Sequence, residues 1–268
     1  MFNKIELKDI VKIAINAGGR ILDVYKDVDF KVESKHDNSP LTIADKVSNE
    51  VITQGLTKLY PKIPILSEEG KHLSYEERKK WNYLWLVDPL DGTKEFIKRN
   101  GEFTVNIALV KNGKVVLGVI YAPVLDTVYF AKEGIGAFKL EKVMEYLNHS
   151  SHLIQSASRL PLNVAKVKTT IIASRSHMSK ETEEYVNELK KTVGEVEILS
   201  AGSSLKLCKV AEGVADVYPR FAPTMEWDTA AGQAIVEQAG GKVIHTDDAK
   251  PLLYNKESLL NSWFIAKR

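Results

Sequence analysis

The chain has 268 residues, 44% of them hydrophobic and 27% charged, the composition of a globular protein able to bury a substantial core. A formal net charge of +2 argues against a basic nucleic-acid-binding surface, and a single cysteine, Cys208, excludes an intrachain disulfide and a multi-cysteine metal site. No segment approaches the ~20 consecutive apolar residues of a transmembrane span, and the N-terminus lacks the apolar region of a signal peptide, so we expect a cytoplasmic protein.

The first half of the chain is predicted to form helices packed on a largely antiparallel sheet. Apolar residues at helical spacing predict helices over residues 6–25 and about 42–59. The turn pair Asn112-Gly113 predicts a hairpin. The apolar face of the second helix is expected to consist of Ile43, Val47, Val51 and Leu59. The expected strands are 63–66, 84–87, 104–110, 115–121, 127–131 and 136–140.

The second half alternates predicted strands and helices, which suggests an α/β layer. Residues 148–168 are rich in Ser, His, Asn and Pro with weak periodicity, and we place a boundary there between subdomains 1–150 and 151–268. The expected strands are 170–173, 195–199, 216–218, 242–244 and 263–266. The expected helices are 180–192, 204–211 and 228–239.

Acidic residues stand where predicted strands end or predicted helices begin: Asp45, Glu68, Asp88, Asp91 and Asp228. Each alone could be an ordinary turn or helix-capping residue. If they converge on one cleft, however, their charges repel strongly unless cations compensate them. A ligand set made of oxygen, without His or Cys, points to Mg²⁺ rather than Zn²⁺.

Three motifs in order along the chain resemble those of the inositol monophosphatase superfamily of Mg²⁺-dependent, lithium-sensitive phosphatases. They are Ser67-Glu68-Glu69, then the run from Asp88 to Thr93 (Asp-Pro-Leu-Asp-Gly-Thr), and then the run from Trp227 to Gly232. The resemblance covers nearly the whole chain. It implies an α+β and α/β fold, the layered αβαβα sandwich of the inositol monophosphatase and fructose-1,6-bisphosphatase type.

Within that superfamily, Lys94-Glu95-Phe96 is similar to the CysQ-type branch of 3′(2′),5′-bisphosphate nucleotidases. The segments 174–177, 202–206 and 218–224 also resemble that branch. The resemblance implies a role in sulfur assimilation, in which the 3′-phosphate of adenosine 3′,5′-bisphosphate is removed to give AMP and phosphate. Some members also act on the sulfated analogue or on inositol 1,4-bisphosphate. The alternatives are an inositol monophosphatase and, in another class, a non-catalytic protein that binds phosphate ligands.

The resemblance also implies roles for individual residues. Thr93 is expected to donate to the activated water or to the phosphate while it pairs with Asp45, and Glu68 completes the catalytic set. The alternative is that Asp45 ligates a further metal. The backbone amides of Gly92 and Thr93 are expected to hold the scissile phosphate. The expected ligands of two or three Mg²⁺ ions are Glu68, Asp88, the carbonyl of Leu90, Asp91 and Asp228.

Lys206 and Arg220 are the expected cationic donors to the second phosphate of the substrate. The alternative is that Lys206 is a solvated helix residue and Arg220 a turn residue. Superfamily members are often homodimers, and bacterial relatives have been linked to the inner membrane, so peripheral membrane association is a further possibility. The full expected substrate-binding set is Glu68, Leu90, Asp91, Gly92, Thr93, His177, Ser203, Lys206, Arg220 and Asp228.

Overall fold

The computed structural model describes residues 2–27, 32–34, 40–71, 73–146, 153–173 and 179–268. A short 3₁₀ helix, Phe2–Lys4, precedes the first α-helix. The α-helices of the described residues are α1 Leu7–Tyr25, α2 Ile43–Leu59, α3 Tyr75–Arg78, α4 Thr93–Ile97, α5 Val143–Tyr146, α6 Lys180–Val193, α7 Leu205–Glu212 and α8 Glu226–Gln238. The strands are β1 Val32–Ser34, β2 Pro40–Thr42, β3 Ile65–Ser67, β4 Tyr83–Asp91, β5 Thr104–Lys111, β6 Lys114–Ala122, β7 Thr127–Lys132, β8 Gly136–Glu141, β9 Ser158–Arg159, β10 Thr169–Ala173, β11 Val196–Ser200, β12 Val217–Arg220, β13 Lys242–His245 and β14 Phe264–Lys267.

Strands β3 to β9 form a seven-stranded sheet in sequence order. Its pairings are antiparallel except that β3 runs parallel to β4, so the prediction of a largely antiparallel sheet is confirmed. The central strands are apolar along almost their whole length because both faces of the sheet are covered. One face packs against α1 and α2, and the other against α7 and α8.

The remaining long strands form a mixed five-stranded sheet in the order β11-β10-β12-β14-β13. Helices α7 and α8 lie between this sheet and the first, and α6 covers its outer face through Val186, which packs against Ile171 and Val217. The layers are therefore helix, sheet, helix, sheet and helix, as the resemblance predicted. Strand β9 extends the first sheet past residue 150. The division into two subdomains stays a prediction, and no helix in the described residues is long and apolar enough to cross a membrane.

The predicted apolar face of α2 is wrong at Ile43 and Leu59, although Val51 packs against the core. Ile43 and Leu59 are 40% and 45% exposed, while the buried side of the helix includes Asp45 and Ser48. The hydroxyl of Ser48 donates to the carbonyl of Pro89 at 2.7 Å. The helix therefore turns a partly polar face towards the end of β4, because that strand end offers hydrogen-bonding groups that an apolar face would leave unpaired.

Candidate active site

The ends of β3 and β4 place Glu68 beside Asp88. Because the two strands are parallel, their carboxyl ends meet at one edge of the sheet, and the amide of Glu68 donates to the carbonyl of Val87 at 3.1 Å. The pairing of β4 with β5 shifts register between Asp88 and Asp91. Asp88 accepts a hydrogen bond from the amide of Leu90 at 3.0 Å. The irregular Asp-Pro-Leu-Asp segment thus holds both aspartates at the strand end.

Asp45 lies in the first turn of α2, where it caps the helix and faces Thr93. Its Oδ2 accepts hydrogen bonds from the amide and the hydroxyl of Thr42, at 2.7 and 2.6 Å. Its other oxygen, Oδ1, lies 3.4 Å from the hydroxyl of Thr93, the first residue of α4. The capping interaction therefore fixes the carboxylate so that one oxygen is directed at the expected catalytic threonine.

A turn from the second half of the chain, residues 201–204, closes over Asp91. The amide of Ser204 donates to Asp91 Oδ2 at 2.6 Å, and the hydroxyl of Ser203 donates to the Asp91 carbonyl at 2.9 Å. Asn106, on β5, donates to the same Oδ2 at 3.3 Å. Ser203 has a φ of +54°, in the left-handed region. Asp91 is consequently one of the residues at which the two halves of the chain make contact.

Asp228 enters the site from the first turn of α8. The amide of Met225 donates to Asp228 Oδ2 at 2.8 Å, so this carboxylate also caps its helix. The helix approaches the first sheet closely, because a Cβ on Gly118 would lie only 2.3 Å from the carbonyl oxygen of Ala231. This close approach brings Asp228 near Asp88 and Asp91. The charge of Asp91 raises the pKa of Asp228, and the charge of Asp228 raises the pKa of Asp88.

A cavity of about 170 Å³ opens between these segments. Six of the predicted site residues line it: Asp91, Gly92, Ser203, Lys206, Arg220 and Asp228. The cavity therefore brings together residues from the end of β4, the turn before α7, the end of β12 and the start of α8.

Two cations face this cavity with donors to spare. Lys206 is only 7% exposed and donates to the carbonyls of Ala201 and Ser203, at 3.2 and 2.7 Å, which occupies two of its three N–H groups. Arg220, the last residue of β12, donates to the carbonyl of Pro223, and its buried Nε has no hydrogen-bond partner in the described structure. The alternative of a solvated Lys206 is wrong, while the expected role of Arg220 in substrate binding stays a prediction.

The carboxylates of the site lie close enough together to raise one another's pKa. Burial raises the pKa of Asp88 well above its usual range, and the charges of Glu68, Asp91 and Asp228 raise it further. The pKa of Asp228 is raised in the same way by burial and by Asp91. Burial raises the pKa of Asp91 too, although Lys206 and the donated hydrogen bonds oppose the shift. Such a set calls for positive charge from a ligand.

Burial shifts the pKa of Lys206 in the opposite direction. Burial lowers its pKa to about 8, while the charge of Asp91 partly restores it. Lys206 and Arg220 offset part of the carboxylate charge, yet the pKa values of Asp88, Asp91 and Asp228 all stay raised. A hard divalent cation would offset the rest, and the oxygen-only donor set suits one.

The donor set fits Mg²⁺ in particular. In the described part of the chain, no three His, Cys, Asp or Glu side chains are already gathered tightly enough to hold one ion. Mg²⁺ seldom uses such an all-protein cage, because it keeps several waters and takes one or two carboxylates together with substrate phosphate oxygens. The carboxylate oxygens at the ends of β3 and β4 are donors of the type that Mg²⁺ takes.

Several residues of the site were not predicted. Ser204 and Glu102 hold the 201–204 turn, since Glu102 accepts from the amide of Gly202 at 2.9 Å. Asn106 carried a signal in the sequence, because it is an amide side chain in the middle of an otherwise apolar strand. His177 lies outside the described residues, so its expected role in substrate binding stays a prediction.

The family relationships agree with this geometry. The chain matches the model of the inositol monophosphatase family over residues 6–267. The 3′(2′),5′-bisphosphate nucleotidase CysQ of Shigella flexneri is 48% identical over 268 residues, covering 96% of this chain and 98% of that protein. The crystal structure of CysQ from Bacteroides thetaiotaomicron is 52% identical, with a TM-score of 0.88, covering 97% of this chain and 95% of that one. An IMPase/NADP phosphatase complexed with Mg²⁺ and phosphate, 21% identical, shares the fold with a TM-score of 0.72, covering 94% of this chain and 86% of that one.

A layered αβαβα sandwich, with carboxylates at its strand ends and cationic donors beside them, defines a phosphatase that acts on phosphoric monoesters. The chain belongs to the inositol monophosphatase family and, within it, to the CysQ branch of 3′(2′),5′-bisphosphate nucleotidases. The resemblance read from the motifs is thereby confirmed.

Proposed function

We propose that this protein hydrolyses the 3′-phosphate of adenosine 3′,5′-bisphosphate to give AMP and phosphate, and that the sulfated analogue is a second substrate. The observation that carries the proposal is the cavity that sets Lys206 and Arg220 beside the carboxylates Asp91 and Asp228. The carboxylates suit the metal-dependent chemistry at one phosphate. The two cations suit recognition of the other phosphate, which a monophosphate lacks.

The residues proposed to hold two or three Mg²⁺ ions are Glu68, Asp88, the carbonyl of Leu90, Asp91 and Asp228. When bound, Mg²⁺ would lower the pKa of the attacking water and offset the charge on the phosphoryl oxygens. The chain's own contribution is to fix these oxygens: Leu90 holds Asp88, and Ser204 holds Asp91.

Asp45 and Thr93 are proposed to handle the proton of the attacking water. Thr42 donates to Asp45 Oδ2, and Asp45 Oδ1 accepts from the Thr93 hydroxyl at 3.4 Å. A hydroxyl has one proton, so a Thr93 that donates to Asp45 can only accept from the water. The hydrogen bond between Thr93 and the water therefore runs opposite to the expected direction, with the water as donor. The proton of the water moves towards Asp45 through Thr93.

The scissile phosphate is proposed to bind at the amides of Gly92 and Thr93, which open α4 and lack intrahelical acceptors. Gly92 has a φ of +94°, and its missing Cβ lets a ligand approach the backbone closely. The remaining N–H of Lys206, the free Nε of Arg220 and the hydroxyl of Ser203 are proposed to face the substrate's other groups, together with His177.

A panel of phosphate esters tests the proposal. With Mg²⁺ present, we expect phosphate release from adenosine 3′,5′-bisphosphate to exceed release from inositol 1-phosphate at least about tenfold in kcat/KM, the factor that one lost charged hydrogen bond explains. A preference for inositol 1-phosphate would instead favour the inositol monophosphatase alternative. Phosphate release that persists undiminished after chelation with EDTA would contradict the metal assignment.

Further features of the proposal come from the resemblance alone: a role in sulfur assimilation, a cytoplasmic location with peripheral membrane association as the alternative, a homodimer, and inhibition by Li⁺. Adding Li⁺ to the substrate panel tests the inhibition, and sedimentation of the purified protein tests the homodimer. A rate that does not change with Li⁺ would contradict the predicted lithium sensitivity.

A further inference from the structure

Glu95 is an acidic residue that lines the cavity but has no role in the proposed mechanism. It lies on α4, two residues after Thr93, and lines the same cavity as Lys206 and Arg220. The next residue, Phe96, is fully buried and packs against Tyr25 and Phe103 with ring centroids 5.1 and 5.2 Å apart. This packing fixes the rotation of α4 about its axis, and with it the direction of Glu95.

Two glycines leave the space that the Glu95 side chain occupies. A Cβ on Gly202 would lie 2.9 Å from Glu95 Cγ, and a Cβ on Gly92 would lie 3.4 Å from Glu95 Oε2. The stem of Glu95 therefore packs over Gly202, and its carboxylate reaches Gly92. The carboxylate is held beside the turn at which the scissile phosphate is proposed to bind.

The Glu95 carboxylate has no hydrogen-bond or ion-pair partner within the described part of the chain. Its charge reaches Lys206, whose pKa it raises, but without direct contact. Glu95 is not among the proposed metal ligands, so its charge opposes the binding of a phosphate at Gly92 and is better suited to a different part of the substrate. Carboxylates are good acceptors for sugar hydroxyls, as in dinucleotide-binding folds where an acidic side chain binds a ribose hydroxyl.

We propose that Glu95 accepts a hydrogen bond from the ribose hydroxyl next to the scissile phosphate, and thereby selects ribonucleotides over deoxyribonucleotides. This inference rests on the proposed function. The carbon that carries the scissile phosphate is bonded to the carbon that carries this hydroxyl. A phosphate held at Gly92 consequently brings the hydroxyl to the side chain that packs beside Gly92.

The test compares adenosine 3′,5′-bisphosphate with its 2′-deoxy analogue in the wild type, Glu95→Ala and Glu95→Gln. Removing the Glu95 charge also changes the field at Lys206, but both substrates carry the same phosphates and feel that change equally. The ratio of the two kcat/KM values therefore isolates the hydroxyl. Glu76→Ala is the matched control, since Glu76 is an exposed acid on α3 that pairs with Lys79.

In the wild type we expect the ribonucleotide to be favoured about 10- to 100-fold, the range for a hydrogen bond to a charged group. In Glu95→Ala the two substrates should become equal, Glu95→Gln should fall between, and Glu76→Ala should keep the wild-type ratio. Calorimetric binding of AMP against 2′-deoxy-AMP, with Mg²⁺, should show the same ratios without turnover.

Two results would overturn the inference: a wild type that treats both substrates alike, or a ratio that survives in Glu95→Ala. The wild-type ratio decides the matter even if Glu95→Ala folds poorly. If the wild type released no phosphate from either nucleotide, the proposed function itself would fail, which is a different and recognisable outcome.

Discussion

At the scale of a single residue, Asp91 contributes to two parts of the site. Its Oδ2 accepts from the Ser204 amide and from Asn106, and its carbonyl accepts from Ser203. The other carboxylate oxygen is the one proposed to bind a cation. Because Ser203 and Ser204 directly precede α7, which carries Lys206, the residue proposed to hold the metal also positions the residue proposed to bind the second phosphate.

Replacing Thr93 with Val tests the proton path at this scale. The change keeps the volume of the side chain but removes the hydroxyl between the attacking water and Asp45, so kcat should fall about 100-fold or more. Thr53→Val is the matched control, since the hydroxyl of Thr53 only donates to a carbonyl of its own helix. A Thr93→Val enzyme with near-normal kcat in steady-state assays would contradict the Thr93–Asp45 pair.

The elements differ in how far the sequence could predict them. Long strands such as β5 and β6 were predicted to within a residue or two, because apolar runs and the Asn112-Gly113 turn are local signals. The buried face of α2 was not, because Asp45 is buried where it accepts from Thr42 and Thr93, and Ser48 where it donates to the carbonyl of Pro89. Such long-range hydrogen bonds leave no periodic pattern in the sequence.

Gly118→Ala tests whether the docking of α8 on the first sheet sets the position of Asp228. The new Cβ would overlap the carbonyl of Ala231, so α8 must shift, and we expect the free energy of unfolding to fall by about 1–3 kcal/mol and kcat/KM to fall with it. Gly19→Ala is the control, because Gly19 has open space on α1 and alanine there should stabilise by about 0.5–1 kcal/mol. Equal unfolding midpoints in urea for Gly118→Ala and wild type would contradict the tight contact.

At the scale of the whole molecule, a buried charged cluster joins the two halves of the chain. Glu212, at the end of α7, accepts from the hydroxyl of Tyr129 at 2.5 Å and pairs with Lys139 and Lys209, both at 3.0 Å. Tyr129 and Lys139 belong to β7 and β8 of the first sheet. The sequence could not predict this cluster, because its members are about 80 residues apart and each looks like an ordinary surface residue.

Glu212 should make the stability of the protein depend on pH in a defined direction. Burial by itself would raise its pKa, but Lys209, Tyr129 and Lys139 outweigh burial and lower the pKa below the usual 4.5. A carboxyl group with a lowered folded-state pKa stabilises the protein fully above the unfolded-state value, and this contribution is lost as the pH falls through the folded-state value. The stabilisation should therefore be complete at pH 7 and should be lost as the pH falls below the usual value of 4.5 and through the lower folded-state pKa.

The measurement is urea unfolding of the wild type, Glu212→Gln and Glu141→Gln from pH 7 down to pH 3. At pH 7, the free energy of unfolding of Glu212→Gln should be about 1–3 kcal/mol below that of the wild type, because the buried partners of residue 212 keep only a neutral acceptor. Glu141 pairs with the same Lys139 but is 67% exposed, so Glu141→Gln should lose less than about 1 kcal/mol. Glutamine cannot titrate, so the difference in the free energy of unfolding between wild type and Glu212→Gln should narrow as the pH falls. A gap that stays constant over this range would show that Glu212 acts through packing alone and not through its charge.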